Sequence, residues 1–188
     1  MIRDLERVVA GLSALGRTVA VGALRPGLDR KAIRDQLATI NLVPEDHILT
    51  YFNWRNGAGD SSATIGDLSL IPGFYPLSLE ESVTNYRAFR DDPRWTVGWL
   101  PVLADGGGDF YIVDLTAAGR GEVRQFRVEE IESPVEYRTL AAMAATLAEA
   151  LERGFIFVTD EGYLDTIYDH FDDLAARMNP GVQWWTEP

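Results

Sequence analysis

Trp99 to Leu115, WLPVLADGGGDFYIVDL, is the stretch that decides the fold. Trp99 to Leu103 is apolar and extended. Pro101 has no N–H to give to a sheet ladder, so that end belongs at a strand start or an edge. Asp105-Gly106-Gly107-Gly108-Asp109 follows, and glycine takes the positive-φ conformations of a tight hairpin without steric penalty. Phe110 to Leu115 is aromatic and β-branched, the composition of a strand. Its unbroken apolar run predicts burial on both faces, at the centre of a sheet. The rest of the chain is expected to cover this hairpin.

Outward from the hairpin, helices dominate. Ile2 to Leu15 carries an apolar stripe at Leu5, Val8, Val9, Leu12 and Leu15, with Gly16 after it. Thr18 to Leu24 reads as a short strand or loop. Asp29 is a good N-cap for a second helix, with Ala32, Ile33, Leu37 and Ile40 on its apolar side. Pro44 fits the first position of a third helix, with Glu45 and Asp46 in its first turn. Ile48, Leu49, Phe52 and Trp54 form the buried side, and Asn56-Gly57 ends it. Ala58 to Ser62 is a small-residue loop. Leu68–Ile71 and Phe74–Pro76 read as short strands around Pro72-Gly73. Ser78 and Glu81 make a capping box for a helix through Phe89.

After the hairpin, Glu122 to Val128 alternates as a half-exposed strand with a bulge or an edge position. Glu129, Glu130, Glu132 and Glu136 form an acidic loop around Pro134. Thr139 to Arg153 is a helix with Leu140, Met143, Leu147 and Leu151 facing the core. Phe155 to Val158 is short and apolar. A last helix is expected from Thr159 or Asp160 to Asn179. On it Leu164, Ile167, Phe171, Leu174 and Met178 share one face, and Asp165, Asp169, Asp172 and Asp173 share the other. Trp184-Trp185 needs something to pack against.

The totals bound the function. The chain has 188 residues, enough for one full-sized domain. Apolar residues make up 46% and charged residues 24%, ordinary for a soluble globular protein. No apolar run is long enough for a membrane span, and the N-terminal stretch does not read as a secretory signal, so a cytoplasmic location is expected. Cysteine is absent, which excludes disulfides and cysteine nucleophiles. The net charge of −12 repels nucleic acid and anionic membranes and favours basic partners. Half of it comes from Asp160 to Pro188. Lys31 is the only lysine.

No catalytic or metal-binding constellation is legible, and no cofactor is expected. Asp105 and Asp109 are too few carboxylates for a calcium cage and read as turn residues. Asp114 reads as a structural turn acid. His47 lacks a second ligand, and His170 reads as a surface histidine paired with Asp169. Gly57-Ala58-Gly59-Asp60 is no phosphate loop, because no Lys-Ser/Thr follows. Trp95, Trp184 and Trp185 are expected to be partly exposed. Asp165, Asp169, Asp172 and Asp173 face water, as a solvated face or a docking surface for a basic partner. Glu129 and Glu130 form a second candidate patch.

Several pieces in order carry a resemblance: Leu42-Val43-Pro44-Glu45-Asp46, Trp54-Arg55-Asn56-Gly57, Ser78-Leu79-Glu80-Glu81, Trp99-Leu100-Pro101, Asp105 to Asp109, Val113-Asp114-Leu115 and Gly121-Glu122-Val123. Together they resemble the SMI1/KNR4 family of the SUKH superfamily, over about residues 28–153. Val43 stands where the family more usually has Leu, and residues 155–188 lie beyond the match as a C-terminal helical extension. The resemblance implies a single α+β domain over 1–188, a mostly antiparallel sheet packed by helices. It implies a non-enzymatic binding protein, as bacterial members look like immunity proteins that neutralise a cognate polymorphic toxin. A regulatory or scaffolding protein with a host partner is the alternative. An enzyme or small-ligand carrier with a pocket beside the hairpin is a third expectation.

Overall fold

In the computed structural model, which describes residues 1–59 and 62–186, Trp99–Ala104 and Phe110–Asp114 pair antiparallel around the glycine turn. In chain order the elements are α1 (Ile2–Ala14), α2 (Thr18–Gly22), β1 (Leu24–Pro26), α3 (Arg30–Ala38), α4 (Asp46–Trp54), β2 (Arg55–Ala58), α5 (Ile65–Leu68), β3 (Tyr75–Pro76), α6 (Leu79–Phe89), β4 (Trp99–Ala104), β5 (Phe110–Asp114), β6 (Val123–Phe126), β7 (Val135–Tyr137), α7 (Leu140–Glu152), β8 (Ile156–Val158), β9 (Leu164–Thr166), α8 (Tyr168–Met178) and a closing 3-10 turn, η1 (Gln183–Trp185). The fold is α+β. The main sheet runs β3-β4-β5-β6-β7, and β1-β2 and β8-β9 form two-stranded ribbons. Among the described residues every strand pair is antiparallel.

The central hairpin is as buried as its composition predicts: every residue of β4 and β5 is buried. Pro101 lies inside β4, where β3 pairs only with Leu103 and Ala104. The flank of Pro101 therefore has no strand waiting for an N–H. Asp105 closes the turn by accepting the amides of Gly107, Gly108 and Asp109 at 2.8, 3.0 and 2.9 Å on one oxygen. Gly106 and Gly108 carry φ of +84° and +117°, which only glycine takes readily. Asp109 accepts from Val128 N, tying the turn to the far end of β6. Asp114 is buried and accepts from Thr116 and Arg124. A Cβ on Gly119 would sit 1.9 Å from the Asp114 carboxyl carbon, so only glycine passes there.

Directly opposed residues share a sheet face. One face carries Phe110 and Phe126, which pack with Phe89 of α6 and Trp95 in an edge-to-face cluster. Trp95 is thus buried, contrary to its expected exposure. The other face carries Tyr111, Gln125, Val123 and Tyr137.

Several local expectations are corrected. Helix α4 starts at Asp46 with Glu45 as its cap, so Pro44 lies outside it. Thr18 to Leu24 is mostly a short helix. Ile65–Leu68 is a helical turn capped by Thr64, and only the bridge Ile71 to Phe74 precedes β3. Asn56 accepts from Leu79 N and so caps α6 alongside the Ser78–Glu81 box. Strand β6 is interior to the sheet. The loop Ala58 to Ser62 and Gly57-Ala58-Gly59-Asp60 include residues 60 and 61, which lie outside the described residues.

The C-terminal segment differs most. Residues 156–166 form the β8-β9 hairpin, and the last helix starts only at Tyr168. Gly162 takes φ +87° in its turn. Arg17, itself buried, donates to the Gly162 carbonyl at 2.7 Å and to that of Gly66, fixing the hairpin tip to α5. Helix α8 is pinned to α7 by fully buried Asn179, which donates to Thr146 Oγ1 at 3.1 Å. Phe171, Leu174 and Leu164 join the core, whereas Ile167 remains largely exposed.

Candidate functional site

On the Tyr111 face, an open groove of about 1510 Å³ separates the sheet's β6–β7 end from α8 and η1. One wall is Gln125, Arg127, Glu130, Glu132 and Glu136. The other is Tyr168, Phe171, Asp172, Trp184 and Trp185.

A β-bulge shapes the first wall. Val123 opposes Tyr137 and Arg124 opposes Val135, so Glu136 is an extra residue with no partner on β6. Bulges bend a strand and redirect side chains. Here the Glu136 carboxylate reaches Tyr111 on the sheet face that carries Tyr137, not the opposite face that simple alternation predicts. Tyr111 Oη donates to Glu136 Oε2 at 2.9 Å, and Arg127 Nη2 lies 3.5 Å from Oε1. Glu136 is 1% exposed. Burial pushes its carboxyl up to about 7, against the Tyr111 hydrogen bond and the Arg127 charge, while Asp172 and Glu130 add repulsion. Glu136 therefore belongs to an edge strand and not to a solvated acidic loop.

Glu136 also touches the second wall. Its backbone carbonyl accepts the indole N–H of Trp185. The Trp185 ring lies 5.6 Å from Tyr137 and 5.8 Å from Phe171. That is the packing partner the tryptophan pair required, and it covers the outer edge of β7. Trp184 turns outward at 41% exposure and carries the Arg127 guanidinium 5.0 Å over its ring. Arg127 also meets Glu130 at 3.0 Å and donates to Gln125.

The sequence-predicted patch residues separate. Glu130 and Asp172, 42 positions apart, line the same groove from opposite walls. Glu129, Asp169 and Asp173 are exposed but outside the lining. Asp165 leaves the set: it sits in β9, half-buried, and accepts its neighbour Thr166 N at 2.7 Å. The shared helical face predicted for it required helix from Asp160. Partial desolvation, then Asp169 and Asp173, raise the Asp172 carboxyl above its ordinary value. Glu132 and Asp172 have no ion-pair partner among the described residues.

The histidines stand apart. His47 lies 3.6 Å from Glu45, and burial lowers its pKa. His170 rests its ring 5.2 Å from Phe155 and has no ion pair among the described residues, correcting the pairing with Asp169. No helix among the described residues is long and apolar enough to cross a membrane.

Sequence reasoning missed Tyr111, Arg127, Glu136 and Tyr168. Three of them lie in strands or at strand ends, and the one available signal was Val135-Glu136-Tyr137, an acid between a β-branched and an aromatic residue. No model of a known protein family matches the chain, and no curated protein matches it.

Proposed function

We propose that this protein is a non-enzymatic binding module that presents the β7–α8 groove to a basic protein partner. Its most specific form is an immunity protein that holds and neutralises a cognate bacterial toxin, in the cytoplasm. The observation that carries the reading is the convergence of Glu130, Glu132 and Asp172 on one aromatic-lined groove in a chain of net charge −12. Exposed Tyr168 and Trp184 stand on its rim, and Ile131 lies between two lining acids at 87% exposure. Exposed aromatics beside acids suit a protein interface with a few strong anchors. The resemblance to SMI1/KNR4 proteins points the same way, and the negative field speeds encounter with a positive surface.

A carboxyl raised to about 7 in a groove also invites an enzymatic reading. Geometry favours a bracing role instead. The Glu136 side chain is 1% exposed, and its oxygens face Tyr111 and Arg127, so no substrate atom reaches it.

The test is co-expression with the product of the neighbouring gene, which the proposal takes to be a toxin, scored by co-purification and by survival of the producing cells. A stable complex with protection supports the proposal. Neither complex nor protection overturns it.

A further inference from the structure

Resting on that reading, we infer that Tyr168 and Asp172 of α8 form a subsite for an arginine side chain of the partner. The two residues are one helical turn apart, at i and i+4, and both line the groove. This sets an exposed aromatic ring, 68% accessible, beside a carboxylate with no ion pair among the described residues. The carboxylate is electrostatically unsatisfied. Asp169 and Asp173 repel it on its own helix, and Glu136 faces it from β7. Arg124, Arg127 and Arg138 also line the groove, and each is engaged elsewhere: Arg127 by Glu130, Gln125 and Glu136, Arg124 by Asp114 and Glu122, and Arg138 by the Pro180 carbonyl.

The groove already holds one filled example of the same recognition chemistry. Arg127 reaches from the sheet wall over the Trp184 ring on the other wall while it meets the Glu130 carboxylate. A planar guanidinium both stacks on an aromatic face and pairs with a carboxylate, whereas a lysine ammonium is a strongly hydrated point charge. The α8 wall offers the ring and the carboxylate with the cation still to come. An arginine from the partner completes it, relieves the repulsion around Asp172 and lies across the groove from Arg127.

The experiment uses the full chain and the probe acetyl-Gly-Arg-Gly-Arg-Gly-amide, with its citrulline and lysine counterparts, followed by aromatic and indole NMR shifts at low salt. The arginine peptide is expected to shift Tyr168 and Trp184 resonances saturably. The lysine peptide should bind more weakly, and the neutral citrulline peptide should not bind. Asp172→Asn and Tyr168→Ala, both at exposed positions, should each weaken binding about fivefold, and Asp165→Asn should leave it unchanged. Shifts that do not saturate, or binding by both groove variants as tight as that of wild type, overturn the subsite. The toxin separates the two proposals. If it binds wild type and both groove variants equally, the subsite falls and the binding-module reading stands. If the arginine peptide binds at α8 but no toxin complex forms, the subsite stands and the immunity reading falls.

Discussion

The Tyr111 phenol donates a 2.9 Å hydrogen bond to Glu136 Oε2 across 25 residues, joining the middle strand of the sheet to the bulge on its edge. The pair is buried, so the bond is the main compensation for a carboxyl taken out of water. Tyr111→Phe should lower the unfolding free energy by about 1–3 kcal/mol, the usual consequence of orphaning a buried polar group. In a Glu136→Gln background the same change should do less, because the acceptor is then neutral. Urea denaturation of the two single variants and the double variant measures this coupling.

The Glu136 carboxyl is raised from 4.5 to about 7 in the folded chain, chiefly by burial. The folded state therefore holds this proton more tightly than the unfolded state. Between about pH 4.5 and 7 the stability contributed by Glu136 falls as pH rises, and the loss is complete above the folded value. Glu136→Gln removes this dependence. The variant should match wild type near pH 4.5 and exceed it at pH 8, by about 3 kcal/mol. Unfolding free energies at several pH values, taken as variant minus wild type, test the sign. A difference that does not change with pH refutes the assignment.

Asp105 accepts three backbone amides of the glycine turn on one oxygen. Asp105→Ala leaves them to water and frees the turn. A loss of about 1 kcal/mol is expected, with Asn retaining part of the stability. Amide exchange at Gly107 to Asp109 should accelerate before that of β4 and β5.

Trp185 donates to the Glu136 carbonyl and covers the edge of β7. Trp185→Phe keeps a ring against Tyr137 and Phe171 but removes the donor. The expected result is faster hydrogen exchange in β7 and a loss of about 1 kcal/mol, with α6 and its aromatic cluster unaffected. Uniform exchange across the sheet would contradict a local role for this contact.

For the toxin complex, Asp172→Asn should slow association most at low ionic strength, because an exposed charge acts through a screened field. Asp165→Asn should have little effect, since that residue lies in β9 outside the groove. Stopped-flow association rates at two salt concentrations discriminate. Equal slowing by both variants would assign the effect to net charge instead of the groove.

The hairpin, its glycine turn, the Ser78 capping box and helices α1, α3, α6 and α7 were legible because their causes are local. Glycine conformation, caps and apolar periodicity act over a few residues. The C-terminal segment was misread because Leu164 and Ile167 fall on a helical stripe with Phe171 and Leu174, while Gly162 breaks that helix and lets 156–166 pair as a hairpin. Glu136 was misread because four neighbouring glutamates resemble a solvated loop, and the edge strand is only three residues long.

The amino-acid order alone determined the buried hairpin, most of the helices and the excess of acid, since each follows from neighbours along the chain, whereas the α+β class was what the family resemblance implied. Only the tertiary structure decided where the acids meet. A one-residue bulge turned Glu136 toward Tyr111, and the docking of α8 on α7 through Asn179 brought Asp172 across from Glu130. Those arrangements depend on packing between segments tens of residues apart, which no local pattern encodes.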